Sequence, residues 1–179
     1  MTTQEFNKEE LVASLNNTTT ALLQLLDSFD EKELHTVPFD DSWTAAQTAE
    51  HLIKANGGAV KTLRGSAAEA KRAVNENVGM LKKIFLDYSI KMKSPPWIVP
   101  SDVPPTKNEI IGSLSKIMKE LQEIAATSEL SLLCMDFEMP NVGPLTRFEW
   151  LSFVNVHTIR HTHQVEVIYK KLKSESIAY

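Results

Sequence analysis

The sequence predicts an all-α fold, a four-helix bundle. Three observations carry it: four helix-start signatures, apolar residues repeating at helical spacing behind each, and one long proline-rich connection between helices two and three. The helix starts are Asn7…Glu10, Thr44…Gln47, Thr106…Glu109 and Thr146…Glu149. In each, the first side chain can accept from an unpaired N–H of the first turn. The acid or amide three residues on can reach back to the cap's own N–H. Three starts also carry apolar residues placed for a staple: Phe6 with Leu11, Pro105 with Ile110, and Leu145 with Trp150. One such match is common by chance; four in one chain, each opening a periodic segment, form a pattern.

The first helix, roughly 7–28, places Leu11, Leu15, Leu22, Leu26 and Phe29 on one stripe. The second runs from Thr44 to about Leu63, with Ala45, Ala49, Leu52 and Ile53 inward. Its Gly57-Gly58 pair is the weakest stretch of that helix, since a glycine costs ~1 kcal/mol relative to alanine in a helix interior. Residues 66–77 are alanine-rich and charged, a surface loop or short helix, and 78–87 (VGMLKKIFLD) form a short amphipathic helix. Pro95, Pro96, Pro100, Pro104 and Pro105 then break regular structure across 94–105. So long a connection is natural if it crosses the length of a bundle, leaving helices two and three parallel. The third helix, 107–127, carries Ile110, Ile111, Leu114, Ile117, Met118, Leu121 and Ile124. The fourth, 147–173, is the longest and holds three of the five histidines. Strand-like alternation is too weak to support a sheet, and no internal repeat is present.

A chain of 179 residues suits one domain over 1–179, and 42% hydrophobic with 23% charged residues excludes disorder. A net charge of −4 and a pI near 5.7, with acids among the lysines, argue against nucleic acid as a partner. No apolar run approaches the ~20 residues of a membrane helix. The N-terminal MTTQEFNKEEL lacks the pattern of a secretory signal. The lone Cys134 cannot form an internal disulfide and suits a reducing compartment. The cytoplasm is therefore the expected location.

The chemistry lies in the histidines. His157 and His161 are four apart, so on a helix they share a face, and Trp150, Val154, Val165 and Ile168 continue that face inward. Two imidazoles so placed can share one ion at nitrogen–metal distances of ~2.0–2.1 Å for zinc. Such pairs also arise by chance, so their spacing alone leaves metal binding open. A third ligand must come from another helix, and His51 is the candidate, on a face with Thr44 and Thr48. Three histidines leave a coordination position for water or substrate, the pattern of a catalytic rather than a structural zinc site. His35 is expected at the surface, and His163 points away from the ligand face.

Other residues are assigned more ordinary roles. Glu50, Glu149 and Glu166 sit off the ligand stripe, which leaves no general base named and catalytic residues unknown. Arg160 is expected to tie elements together, with binding of a substrate anion as the alternative. Gln164 is a candidate hydrogen-bond donor behind a histidine. Cys134 is expected to be buried and inert. Trp43, Trp97 and Trp150 are expected in the core or as staples, with Trp97 an alternative lid.

Two stretches carry a family resemblance. DDSWTAAQTAEHL (Asp40–Leu52) ends in His-Leu, and LTRFEWLSFVNVHTIRHTHQ (Leu145–Gln164) contains His-x-x-Arg-His-x-x-Gln in His157, Arg160, His161 and Gln164. Together with the intervening FLDYSIKMKSPPWIVPSDVPP, they resemble the DinB-like (DinB/YfiT) family from Asp40 to about Lys171; the first helix matches only in character. The resemblance implies an up-down-down-up bundle, metal ligands at His51, His157 and His161, and a possible homodimer. It also implies a divalent-metal-dependent enzyme acting on a small molecule, as a thiol (S-)transferase using a low-molecular-weight thiol or as a hydrolase. Zinc and nickel are the expected metals, although imidazole also suits copper and iron. The alternative is a non-catalytic, stress-related or interaction bundle with a structural metal or none.

Overall fold

The helix-start signatures act as caps. Thr44 Oγ1 accepts from Gln47 N at 3.1 Å while Gln47 Oε1 accepts from Thr44 N at 3.0 Å. The same reciprocal box forms at Thr106…Glu109 and at Thr146…Glu149. Asn7 Oδ1 accepts from Glu10 N at 3.0 Å. Behind these caps run α1 (Lys8–Asp27), α3 (Ala45–Arg64), α5 (Lys107–Thr127) and α6 (Arg147–Ser176). Shorter elements lie between them: α2 (Glu31–Leu34), β1 (Ala67–Ala68), α4 (Val78–Phe85) and β2 (Leu133–Cys134). The structure, a computed structural model, describes residues 7–176. Phe6, expected to staple onto Leu11, lies outside the described residues; Leu145 and Trp150 do share one apolar cluster.

Cross-helix contacts set the directions. At the start of α5, Lys107 Nζ donates to the carbonyls of Asp27 and Phe29 at 2.6 and 2.8 Å, so α1 and α5 are antiparallel. Thr18 bonds Asn155 and Phe29 packs on Tyr169, so α1 and α6 run together. Asn56 donates to Thr158, and Arg147 Nε to the Leu63 carbonyl, so α3 and α6 are antiparallel. The order is therefore up-down-down-up, with α3 and α5 parallel and joined by the long crossover through 65–106. α1 and α3 each pack on α5 and α6, which places α1 and α3 on a diagonal.

α3 passes unbroken through Gly57 and Gly58, as its apolar spacing to Leu63 predicts. Two elements differ from the sequence expectations. α2 is one turn long, too short to show a period, and its Asp30…Glu33 capping box is reciprocal. A small antiparallel ladder pairs Ala67 with Cys134 and Ala68 with Leu133, where no sheet is expected from the sequence. Two residues per strand cannot display alternation. The ladder nonetheless stitches the exit of α3 to the linker before α6, reinforced by Met135 N to the Ser66 carbonyl and Cys134 N to the Leu145 carbonyl.

The core divides into two apolar clusters, one around Leu15, Leu63, Met118, Leu121 and Leu151, the other around Leu22, Leu26, Leu52, Leu114 and Val165. Buried polar groups lie between them: Thr18 with Asn155 at 2.8 Å, Asn56 with Thr158 at 3.3 Å, and the buried His51, His157 and His161. A side chain buried in a bundle must be bonded or it costs free energy, so this polar layer also holds the helices in register. α4 packs against α6 through Leu81.

Candidate metal centre

α3 presents His51 and α6 presents His157 and His161 at the same level, because the two helices are antiparallel neighbours. His157 Nε2 lies 3.2 Å from His51 Nε2 and 3.1 Å from His161 Nε2. Tetrahedral ligands at ~2.0–2.1 Å from zinc stand ~3.3 Å apart, so the spacing suits one ion. All three histidines are buried, and no other His, Cys, Asp or Glu joins the group among the described residues.

Hydrogen bonds behind two of the rings set their tautomers. His51 Nδ1 donates to the carbonyl of Ile98 at 2.9 Å, and His161 Nδ1 donates to Gln164 Oε1 at 2.9 Å. Each proton held at Nδ1 leaves Nε2 as a bare lone pair aimed at the common point. Two such lone pairs, from His51 and His161, face His157 Nε2 and call for a proton or a cation between them. His157 Nδ1 is buried with no partner; the ring is held by Phe153, stacked at 5.2 Å and 21°, and by the edge of Phe85 at 5.8 Å. Trp43 packs on His51 at 5.2 Å.

Burial keeps the rings neutral. Desolvation pushes His161 down to about 4, with His51 and Arg160 adding to the effect and Gln164 opposing it. Desolvation, then His161, His51 and Arg160, hold His157 well below the ordinary histidine value. Desolvation also lowers His51, although the Ile98 carbonyl favours its charged form. Neutral imidazole is the form that ligates a metal.

Residues 14–165 match the sequence pattern of the DinB superfamily. The chain belongs to the DinB superfamily. This DinB chain is 25% identical over 153 residues to the uncharacterized protein YuaE of Bacillus subtilis (strain 168), a match covering 83% of the chain and 90% of YuaE. It is also similar to TT2238, a four-helix bundle protein of known crystal structure. The TM-score is 0.58 at 18% identity, over 90% of this chain and 99% of that one, which shows likeness of fold.

Around the histidines of this DinB-superfamily chain, several residues have roles that their positions alone did not specify. Arg160 caps the end of α4, donating to the carbonyls of Phe85 and Asp87 at 3.2 and 2.9 Å and to that of Ile90, and so acts as a tie. Gln164 does engage His161, but as an acceptor rather than the expected donor. Glu50 holds the proline-rich crossover, accepting from Ser101 N and Oγ at 2.9 and 2.8 Å and pairing with Lys54. Glu149 is fully buried and bound by Arg72, Asn77 N and Thr146 N. Glu166 is a solvent-exposed partner of Lys170. None of the three carboxylates is placed as a base at the histidines.

His163 stacks on Tyr88 at 4.1 Å, and His35 is half-buried, bonding the carbonyls of Glu31 and Pro105. Trp150 is core, but Trp97 is 63% exposed, contrary to a core or staple role, because it rides on the proline-rich crossover. The Ile98 carbonyl behind His51 had no sequence signal, since a backbone oxygen is common to every residue. No described helix is long and apolar enough to cross a membrane.

Proposed function

We propose that this protein is a divalent-metal-dependent enzyme acting on a small molecule, as a thiol (S-)transferase or hydrolase, with the metal held by Nε2 of His51, His157 and His161. The observation that carries it is the convergence of three buried Nε2 atoms, with the His51 and His161 lone pairs turned inward by Ile98 and Gln164. Membership of the DinB superfamily supports it. A bound zinc or nickel ion would supply Lewis-acid polarisation and favour deprotonation of a thiol or water. The chain's own part is to keep the ligand rings neutral, orient them through Ile98 and Gln164, and wall them with Trp43, Phe85 and Phe153. The lone buried cysteine fits work in the reducing cytoplasm.

A second reading, a structural metal in a non-catalytic bundle, draws on the depth of the site: His51 is only 2% exposed. The test is metal analysis of freshly purified protein beside the His157→Ala/His161→Ala variant. About one zinc or nickel per chain, lost in a variant that still folds, supports the metalloenzyme. No metal on purification and no uptake from supplied divalent ions sinks it. Exchange of thiol or water at the bound ion, read by cobalt substitution and its visible spectrum, separates an open site from a closed structural one.

A further inference from the structure

A cavity of about 260 Å³ lies between α3, α6, the proline-rich crossover and the 137–140 stretch of the linker before α6. It shares two walls with the histidine centre. Phe153, which lines it, stacks on His157, and Ile98, which also lines it, bears the carbonyl that orients His51. Along the helices the nearer lining residues sit one to two turns from the ligands. Ala55 and Gly58 are four and seven residues beyond His51, and Trp150 is seven before His157. That corresponds to ~6–10 Å.

The lining is apolar apart from Thr62 and Lys54. Trp97 and Phe137 flank it with rings 6.4 Å apart, and Trp150 packs against both Phe137 and Phe153. The one charged lining residue, Lys54, is already committed to Glu50 at 2.9 Å and to the Val99 carbonyl at 2.8 Å. An apolar cavity of ~150 Å³ accepts benzene, so this one has room for a substituted ring or a short alkyl chain. Gly58, an exposed residue of α3, also lines the cavity, and a Cβ added there would meet nothing within 4 Å, so a larger side chain can be placed there without displacing protein atoms.

We propose that this cavity is the subsite that receives a compact aromatic or short-alkyl group of the small molecule whose reacting atom is held at His51, His157 and His161. It rests on the metal-dependent function proposed above for the reacting end, and it adds the substrate class: a small amphiphile whose apolar group lies ~6–10 Å from the atom that reacts.

The test uses three probes, phenylbutanol, phenylbutanethiol and mercaptoethanol, binding to zinc-supplied wild type, Gly58→Leu and Trp97→Ala, read by calorimetry. Both phenyl compounds bind wild type, and Gly58→Leu weakens them on the order of tenfold or more. The zinc content and the affinity for mercaptoethanol stay at the wild-type level, and the thiol outbinds the alcohol only when zinc is present. Trp97→Ala, on an exposed side chain of the crossover, weakens the phenyl compounds in the same direction and decides the matter if Gly58→Leu does not fold. Phenyl compounds that bind wild type and both variants alike, or that bind none of them while zinc is taken up normally, overturn the subsite alone. A wild type that takes up no zinc but still binds phenylbutanol in a Gly58-dependent way overturns the metal assignment and leaves the cavity as a binding site for apolar groups.

Discussion

An imidazole has two nitrogens, and its use depends on what holds each of them. His161 and His163 are two residues apart on α6, yet His161 turns Nε2 into the bundle and ties Nδ1 to Gln164, whereas His163 lies half-exposed against Tyr88. That divergence follows from helical geometry, ~100° per residue, and is legible in the sequence. Cys134 shows the same dependence on surroundings. It is 1% exposed in the end of the core closed by the β1–β2 ladder, and burial pushes its thiol up to about 11, against an opposing Arg147. Because the folded value is raised, the neutral thiol's contribution to stability is complete below the unfolded value of ~8.5 and is lost as pH rises through about 11. Iodoacetamide at pH 8 should therefore leave Cys134 unmodified in the native protein and alkylate it promptly in urea. Rapid labelling of the native protein would show that the thiol is neither buried nor protonated as described.

At the scale of elements, caps and periodicity place α1, α3, α5 and α6 from the sequence, since each rests on interactions within a few residues. What joins the elements is less visible. Glu149 reads as the third residue of a capping box, and it is one, but it also receives both arms of Arg72 at 2.7 and 2.6 Å and the Asn77 amide at 2.7 Å. It thereby pins the loop between β1 and α4 to the start of α6. Nothing in the alanine-rich, charged 66–77 segment marks Arg72 as different from its neighbours, because its partner is more than seventy residues away. The hydrogen bonds to Glu149 raise the Arg72 pKa above its ordinary value, with burial opposing. Arg72→Ala leaves a fully buried carboxylate without its cation and should cost ~3–5 kcal/mol in urea denaturation. Replacing both partners with apolar residues of similar volume should recover much of that loss. A change under ~1 kcal/mol for the single variant would mean that the pair behaves like an exposed one.

The molecule as a whole stacks two apolar clusters with a polar layer between them, and the histidines belong to that layer. A ligand bound there contacts α3 and α6 together, so its affinity adds to the stability of the bundle. At a thousand times its dissociation constant a metal stabilises the fold by ~4 kcal/mol. For a chain of this size that raises Tm by roughly 10 °C. Chelator should therefore lower the Tm of the loaded wild type and leave His157→Ala/His161→Ala unchanged. Equal melting of wild type with and without chelator, in protein shown to carry metal, would place the ion elsewhere.

The sequence by itself determined the four long helices, the need for a long crossover, and the shared face of His157 and His161, because caps, 3.6-residue periodicity and i, i+4 spacing are local properties of the chain; His51 entered as a candidate that the family resemblance supported. Those properties also left Glu50, Glu149 and Glu166 off the ligand face, and all three lie away from it. Only the tertiary structure decided which groups stand behind and beside the histidines from other parts of the chain: the Ile98 carbonyl, the rings of Trp43 and Phe85, and the apolar cavity next to them. These depend on where the crossover returns across the bundle. A backbone oxygen, an aromatic wall or an empty volume has no spacing rule in the chain, since each is made by residues that meet only after the helices have packed.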